Sequence, residues 1–211
     1  MVLRKLMGLF ACALILGTAV FATAGIPDLQ TSTASLAYGG TETLSLFNVP
    51  NGAGKPFTQA FEFGGVVVDG TINLTLLDGL SVPIANFPFE DLWVSSADDG
   101  MKPCGGTATA DFNTNDLGET SWVNALFAGG SSQALCVVYV NGDALTSSGG
   151  FALSFNSPDI TGDGVVNLSD AGFFTGYIGN VEFKGDFNNS GGVVNIQDAG
   201  FMSAALGARC P

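Results

Sequence analysis

The chain has 211 residues, enough for one medium domain or one domain plus a small module. Its formal charge is −13, with 12% charged and 46% apolar residues, a balance too apolar for a disordered chain and too acidic for nucleic acid or an anionic membrane surface. The absence of histidine excludes Ser-His-Asp triads, HExxH zinc sites and imidazole acid–base chemistry, and leaves open carboxylate chemistry and metals held by oxygen.

At the N-terminus, Arg4 and Lys5 precede an apolar run from Leu6 to Phe21, and Ala22-Thr23-Ala24 follows as a small-residue cleavage site. This is the layout of a secretory signal peptide over residues 1–24. The competing reading, a membrane anchor, is disfavoured because the run is short and interrupted by Gly and Thr. No other stretch is long and apolar enough to span a bilayer, so no membrane span is expected after cleavage. Cleavage removes Arg4 and Lys5 but no acidic residue, which lowers the formal charge from −13 to −15. The expectation is an exported, acidic, extracellular protein that could be held at a cell surface.

From Gly25 to Ser157 the chain alternates short apolar runs with clusters of Gly, Asn, Asp and Pro. The runs Thr71–Leu77, Gly106–Ala110, Leu135–Val140 and Phe151–Phe155 have strand length and composition, and Asp69-Gly70, Asp78-Gly79 and Asn141-Gly142 are hairpin-type dipeptides. No segment here keeps a 3.6-residue apolar period for three turns. The pattern predicts an all-β sandwich over residues 25–157. The stretch from Ile72 to Trp93, with Asp78-Gly79 and Val82-Pro83-Ile84-Ala85, and the later turn Thr114–Thr120 leading into Trp122, resembles bacterial Ig-like sandwiches of invasin type over residues 70–140. That resemblance implies an adhesive or spacer module without catalysis.

Export permits disulfides. Cys12 falls within the signal segment, which leaves Cys104, Cys136 and Cys210, so one intrachain bridge at most can form. Cys104 and Cys136 share the β-rich region and are the expected pair, with Cys210 free or available to another molecule. The alternative is three reduced thiols.

Residues 158–211 contain an internal duplication. Val165–Gly179 and Val193–Gly207, offset by 28, agree at eight of fifteen positions. Ahead of the first copy, side-chain oxygens of Asp159, Thr161, Asp163, Asn167 and Asp170 fall at loop positions 1, 3, 5, 9 and 12, with Gly164 at position 6 and the carbonyl of Val165 at position 7. This is the spacing of an EF-hand calcium loop, in which a tight glycine turn lets successive oxygens converge on one ion. Oxygen donors without His or a Cys pair argue against zinc and copper. The second loop offers Asp186, Asn188, Ser190, Asn195 and Asp198, with one residue inserted at Gly191-Gly192 and two carboxylates against three. Both changes predict weaker Ca²⁺ binding there.

The paired loops, each followed by one short helix, resemble a dockerin module. The resemblance implies a calcium-folded plug that binds a cohesin-like domain, with loop positions 10 and 11 (Leu168-Ser169 and Ile196-Gln197) helping to select the partner. Leu168, Ala171, Phe174 and Ile178 fall at helical spacing, as do Ile196, Ala199, Met202 and Leu206, which predicts two apolar helix faces packed about a pseudo-twofold axis. Phe173 and Phe201 are available for core or partner contacts, with core preferred.

Catalysis finds little footing. The acidic pairs Glu90-Asp91 and Asp98-Asp99 sit beside turns, and adjacent carboxylates on a strand point to opposite faces. Trp93, Trp122 and Tyr139 could stack on a sugar, but single aromatics of β-proteins belong more often to the core. Asn73 and Asn167 match glycan acceptors, and a glycan on Asn167 would block the first loop. The resulting expectation is a secreted protein in which a dockerin-like module attaches a non-catalytic sandwich to a cohesin-bearing partner. The rival is an accessory protein or enzyme of polysaccharide degradation, or a carbohydrate-binding module.

Overall fold

The computed structural model describes residues 25–106 and 108–211. The expected signal peptide, residues 1–24 with Cys12, lies outside the described residues. In chain order the strands are β1 (Thr33–Leu36), β2 (Leu44–Phe47), β3 (Ala60–Glu62), β4 (Val66–Val68), β5 (Ile72–Thr75), β6 (Leu92–Ser96), β7 (Met101–Pro103), β8 (Ala108–Thr109), β9 (Glu119–Trp122), β10 (Ala128–Gly130), β11 (Cys136–Val140), β12 (Asp143–Ala144) and β13 (Leu153–Asn156). Two helices follow, α1 (Leu168–Tyr177) and α2 (Ile196–Ala205). No helix among the described residues is long and apolar enough to cross a membrane.

The β-rich part is built from small sheets in the orders β1-β5-β9, β12-β11-β6-β8, β13-β2-β3-β4 and the pair β10-β7. Side chains alternate as strand geometry requires. Leu92, Val94 and Ser96 on β6 and Cys136, Val138 and Val140 on β11 point inward, while Trp93 and Tyr139 lie on the outer face. Ile72, Leu74, Trp122, Leu153 and Phe155 join them in one core. The expected strands all appear, most of them shorter than predicted. Asn141-Gly142 forms the predicted two-residue hairpin between β11 and β12, with both residues at positive φ. Asp69-Gly70 does not make a hairpin. It joins β4 to β5, which belong to different sheets, and Gly70 passes so close to Ala60 and Leu44 that a Cβ would not fit.

All four residues of β2 and of β13 are buried, because their sheet is covered on both sides. Leu44, Leu46, Leu153 and Phe155 face the main core. The opposite face carries the C-terminal repeats: Phe47, Val49 and Phe61 join Val166, Phe174, Phe187, Val194, Met202, Ala205 and Ala208 in a second core. Phe201 of α2 sits edge-on to Phe47 (ring centroids 4.8 Å apart) and to Phe61 (6.4 Å), and Phe174 stacks on Phe187 at 5.5 Å. The repeats therefore share their core with the β-sheet.

The cysteine expectation is overturned. Cys104 is bonded to Cys210, and Cys136 is free and fully buried on β11. Cys136 faces inward with Val138 and Val140 against the apolar core, where burial pushes its thiol far above the ordinary range, while folding brings the chain end back to Cys104. Cys210 is consequently neither free nor available for an intermolecular bond.

Candidate metal centre

The two helices begin in the same way. Asn167 and Asn195 are N-caps with nearly equal extended backbones, and each forms a capping box with the aspartate three residues on. Asn167 Oδ1 accepts from Ser169 N at 2.7 Å, and Asp170 Oδ2 accepts from Asn167 N at 2.9 Å. The second copy repeats this with Gln197 N on Asn195 Oδ1 (2.7 Å) and Asn195 N on Asp198 Oδ2 (3.0 Å).

The repeats then cross over. Val166 of the first loop donates to Ala208 O (2.8 Å) and accepts from Gly207 N (2.9 Å), both beyond α2. Val194 of the second loop donates to Asn180 O (2.9 Å) and accepts from Gly179 N (3.0 Å), both beyond α1. Each loop is thus fastened to the end of the other repeat, in line with the predicted pseudo-twofold packing.

In the first loop Asp159 and Asp170 are fully buried. Asp159 Oδ1 accepts from Gly162 N (2.9 Å) and Asp163 N (3.2 Å), and its Oδ2 from Gly164 N (2.8 Å). Thr161 Oγ1 lies 3.0 Å from Asp170 Oδ1 and 3.3 Å from Asp159 Oδ1, so three of the predicted ligands converge. Asp163 accepts from Val165 N, and Asn167 Nδ2 donates to Val165 O, so these groups are engaged within the loop itself. Burial pushes the Asp159 carboxyl above the ordinary range, and the neighbouring charge of Asp170 adds to the rise.

In the second loop Asp186 Oδ1 accepts from Ser190 N (2.8 Å) and Ser190 Oγ (3.1 Å), and its Oδ2 from Gly191 N (2.9 Å). Asp198 is fully buried and accepts from Phe187 N at 3.0 Å. Asn188 Oδ1 accepts from Ser190 N at 3.2 Å, and its Nδ2 donates to Gln197 Oε1 at 3.1 Å. Burial raises the Asp198 carboxyl, helped by the charge of Asp186. The inserted glycine accompanies a loop held from outside: Asn189 O accepts from Gly64 N and Gly65 N, and Asn156 Nδ2 donates to Phe183 O and Asp186 O.

Among the described residues no group of three or more Cys, Asp or Glu side chains meets a metal-site geometry. Each loop instead holds two buried carboxylates, Asp159 with Asp170 and Asp186 with Asp198, beside hydroxyl, amide and carbonyl oxygens, and the first loop adds Asp163. Hard oxygen donors around buried carboxylates, short of positive charge, suit a calcium-type cation. In that role Asp159, Thr161, Asp163, Val165 O, Asn167 and Asp170 would hold one ion, and Asp186, Asn188, Ser190, Asn195 and Asp198 a second.

The predicted helix faces are wrong by part of a turn. Leu168 is 85% exposed, Ile196 83% and Phe173 53%, and Ile178 and Leu206 are also exposed. The buried faces run Asp170, Phe174 and Tyr177 on α1 and Asp198, Met202 and Ala205 on α2, with Tyr177 only partly covered. The cause is the aspartate at position 12. It must turn inward to hold its loop, and the residue two positions earlier then lies about 200° around the helix.

Four further residues that shape the loops are not among the predicted ligands. Phe187 and Val166 are fully buried and Val194 nearly so, at loop positions 2 and 8; their apolar character in both copies was the available signal. Gly129 on β10 lies so close to the Asp159 carboxylate that any Cβ would collide with it. Elsewhere, Trp122 is in the core and donates to Ala108 O, while Trp93 and Tyr139 stack on each other across β6 and β11, with centroids 5.7 Å apart. Asp98 is held below the ordinary range by hydrogen bonds, first from Ser132. Glu90 and Asp91 lie in a 3-10 turn. Comparison with family models, with curated proteins and with solved structures returns no match.

Proposed function

We propose that the chain is an exported calcium-binding attachment protein. Its C-terminal dockerin-like module takes up two Ca²⁺ ions, the second more weakly, and docks a non-catalytic β-sandwich of Ig-like type onto a cohesin-like domain of a scaffold or cell surface. The observation that carries this reading is the duplicated loop-and-cap unit: buried carboxylates at positions 1 and 12 of both loops, identical capping boxes, and loops cross-paired by equivalent hydrogen bonds. Buried carboxylates grouped with further oxygen donors are an arrangement that a bound cation would neutralise. The exposure of Leu168 and Ile196 at position 10 supports a role in partner contact, since none of the described residues covers them.

Bound Ca²⁺ supplies positive charge that offsets the buried carboxylates; the protein residues do the rest by fixing the helix starts and joining the repeats. Binding is tested by calorimetric titration with Ca²⁺, and partnering by pull-down against a panel of cohesin domains with and without chelator. Calcium-dependent capture by a cohesin is the expected result, and failure with every cohesin would remove the partner assignment. Incubation with insoluble polysaccharides and a reducing-sugar assay tests the rival reading; sugar release would overturn the non-catalytic assignment.

A further inference from the structure

The two loops differ in one covalent respect. The segment after α2, Gly207–Cys210, runs antiparallel to the first loop: Gly207 and Ala208 bond Val166, Arg209 bridges Val165, and Cys210 N donates to Gly164 O at 2.9 Å. Gly164 therefore holds the ligand Asp159 with its N–H and the disulfide residue Cys210 with its carbonyl. On the other side the loop rests against β7 and β10. Gly130 N donates to Asp159 O at 2.8 Å, Gly129 abuts the Asp159 carboxylate, and Gly162 approaches the Lys102 side chain. Cys104 directly follows β7 and is bonded to Phe127 O ahead of β10. The Cys104–Cys210 bond thus ties together the two walls between which the first loop lies. Cys210 corresponds by the 28-residue offset to Glu182, so the second loop has no covalent counterpart.

We infer that the Cys104–Cys210 bond is a redox-operated clamp on the first calcium loop: oxidised, it holds that loop in its ion-binding form, and reduction by an external dithiol loosens it. The inference rests on the calcium reading above. Cys104 and Pro211 line an open cleft of about 480 Å³, the side from which a small dithiol would approach Cys104. One thiolate of the reductant attacks a bridge sulfur to form a mixed disulfide. Its second thiol then closes a cyclic disulfide, and two electrons and two protons pass to Cys104 and Cys210. Cys136 takes no part, being sealed in the main core. After reduction Ala208 stays in the second core, but the residues beyond it keep only the Arg209–Val165 bridge and the Cys210 N–Gly164 O hydrogen bond, and terminal residues held in that way fray. Linkage makes the effect reciprocal: whatever factor reduction costs in calcium affinity, bound calcium returns as protection of the bridge.

The test titrates the full mature chain with Ca²⁺ in oxidised and dithiothreitol-reduced forms, in Asp198→Ala, which isolates the first loop, and in Asp170→Ala, which isolates the second. The expected result is a dissociation constant raised about tenfold or more at the first loop on reduction and changed less than about twofold at the second. A second measurement needs no variant: the thiol–disulfide equilibrium of the wild-type chain in dithiothreitol buffers, with and without saturating Ca²⁺, read by thiol mass-tagging. A tenfold coupling makes the bridge harder to reduce by about 30 mV when calcium is bound. Equal calcium constants in both redox states, with no shift in the thiol equilibrium, would overturn the clamp and leave the calcium reading standing. Equal weakening of both loops would make the bond a general brace and overturn it too. No binding in either state would overturn both the calcium reading and the clamp.

Discussion

The first and second repeats carry the same local device in different surroundings. Both start a helix with an Asn cap and a buried Asp, and both fasten position 8 to the end of the opposite repeat. The first loop lies against β7 and β10, with the Cys104–Cys210 bond alongside. The second is held by the β3–β4 turn and by Asn156 of β13, and it places Phe187, fully buried, where the first has the partly buried Ile160. One repeat is therefore rich in carboxylates and covalently tied, and the other is anchored by an aromatic side chain. Duplication supplies the backbone, and neighbours decide what each copy contributes.

On the proposed calcium reading, the largest expected effect comes from removing the cation. Two ten-residue helices are too short to persist by propensity alone, so a chelator should abolish most of the helical circular dichroism while leaving the β-signal. An unchanged helical signal would mean that the second core, not the ion, holds both repeats. The anchor comparison comes next. Phe187→Ala should destabilise by about 3–5 kcal/mol in urea unfolding, against about 1–2 kcal/mol for Ile160→Ala, because Phe187 touches both Phe47 and Phe174. Equal losses would erase the asymmetry.

Ligand removal ranks third. Asp159→Ala should weaken the first site by about a hundredfold, whereas Ser190→Ala should weaken the second by less than about tenfold, read by calorimetry. Gly129→Ala should lower only first-site affinity, since its methyl group would collide with Asp159. The smallest effect is on pH. Asp159 and Asp198 have carboxyls raised above the ordinary value of 3.8, so the folded metal-free chain holds protons more tightly than the unfolded one. That contribution is fully present below about pH 3.8 and is lost as pH rises through the raised folded values. The urea midpoint of metal-free protein should therefore fall as pH rises above the ordinary carboxylate value, and added Ca²⁺ should reverse the trend.

Much of the candidate site was legible because it is local. Loop spacing, the glycine turn and the Asn caps depend on residues within about a dozen positions of each other, and the sequence displays them directly. Apolar spacing alone misplaces the helix faces, because it omits the inward-turned aspartates that fix the rotation of each helix. In the β-rich part, strand positions and the Asn141-Gly142 hairpin could be read from alternation and turn chemistry. Asp69-Gly70 could not, since whether a turn closes a hairpin or changes sheets depends on where the next strand finds its partner.

By itself the sequence determined the two oxygen loops, the start of each helix and the β-rich character of the remainder, all of which follow from near-neighbour chemistry and side-chain period. Only the tertiary structure decided that Cys104 bonds Cys210 across 106 residues, that the repeats share a core with Phe47 and Phe61, and that Leu168 and Ile196 face outward. These outcomes depend on which distant surfaces meet, and that is settled by the combined packing of both cores.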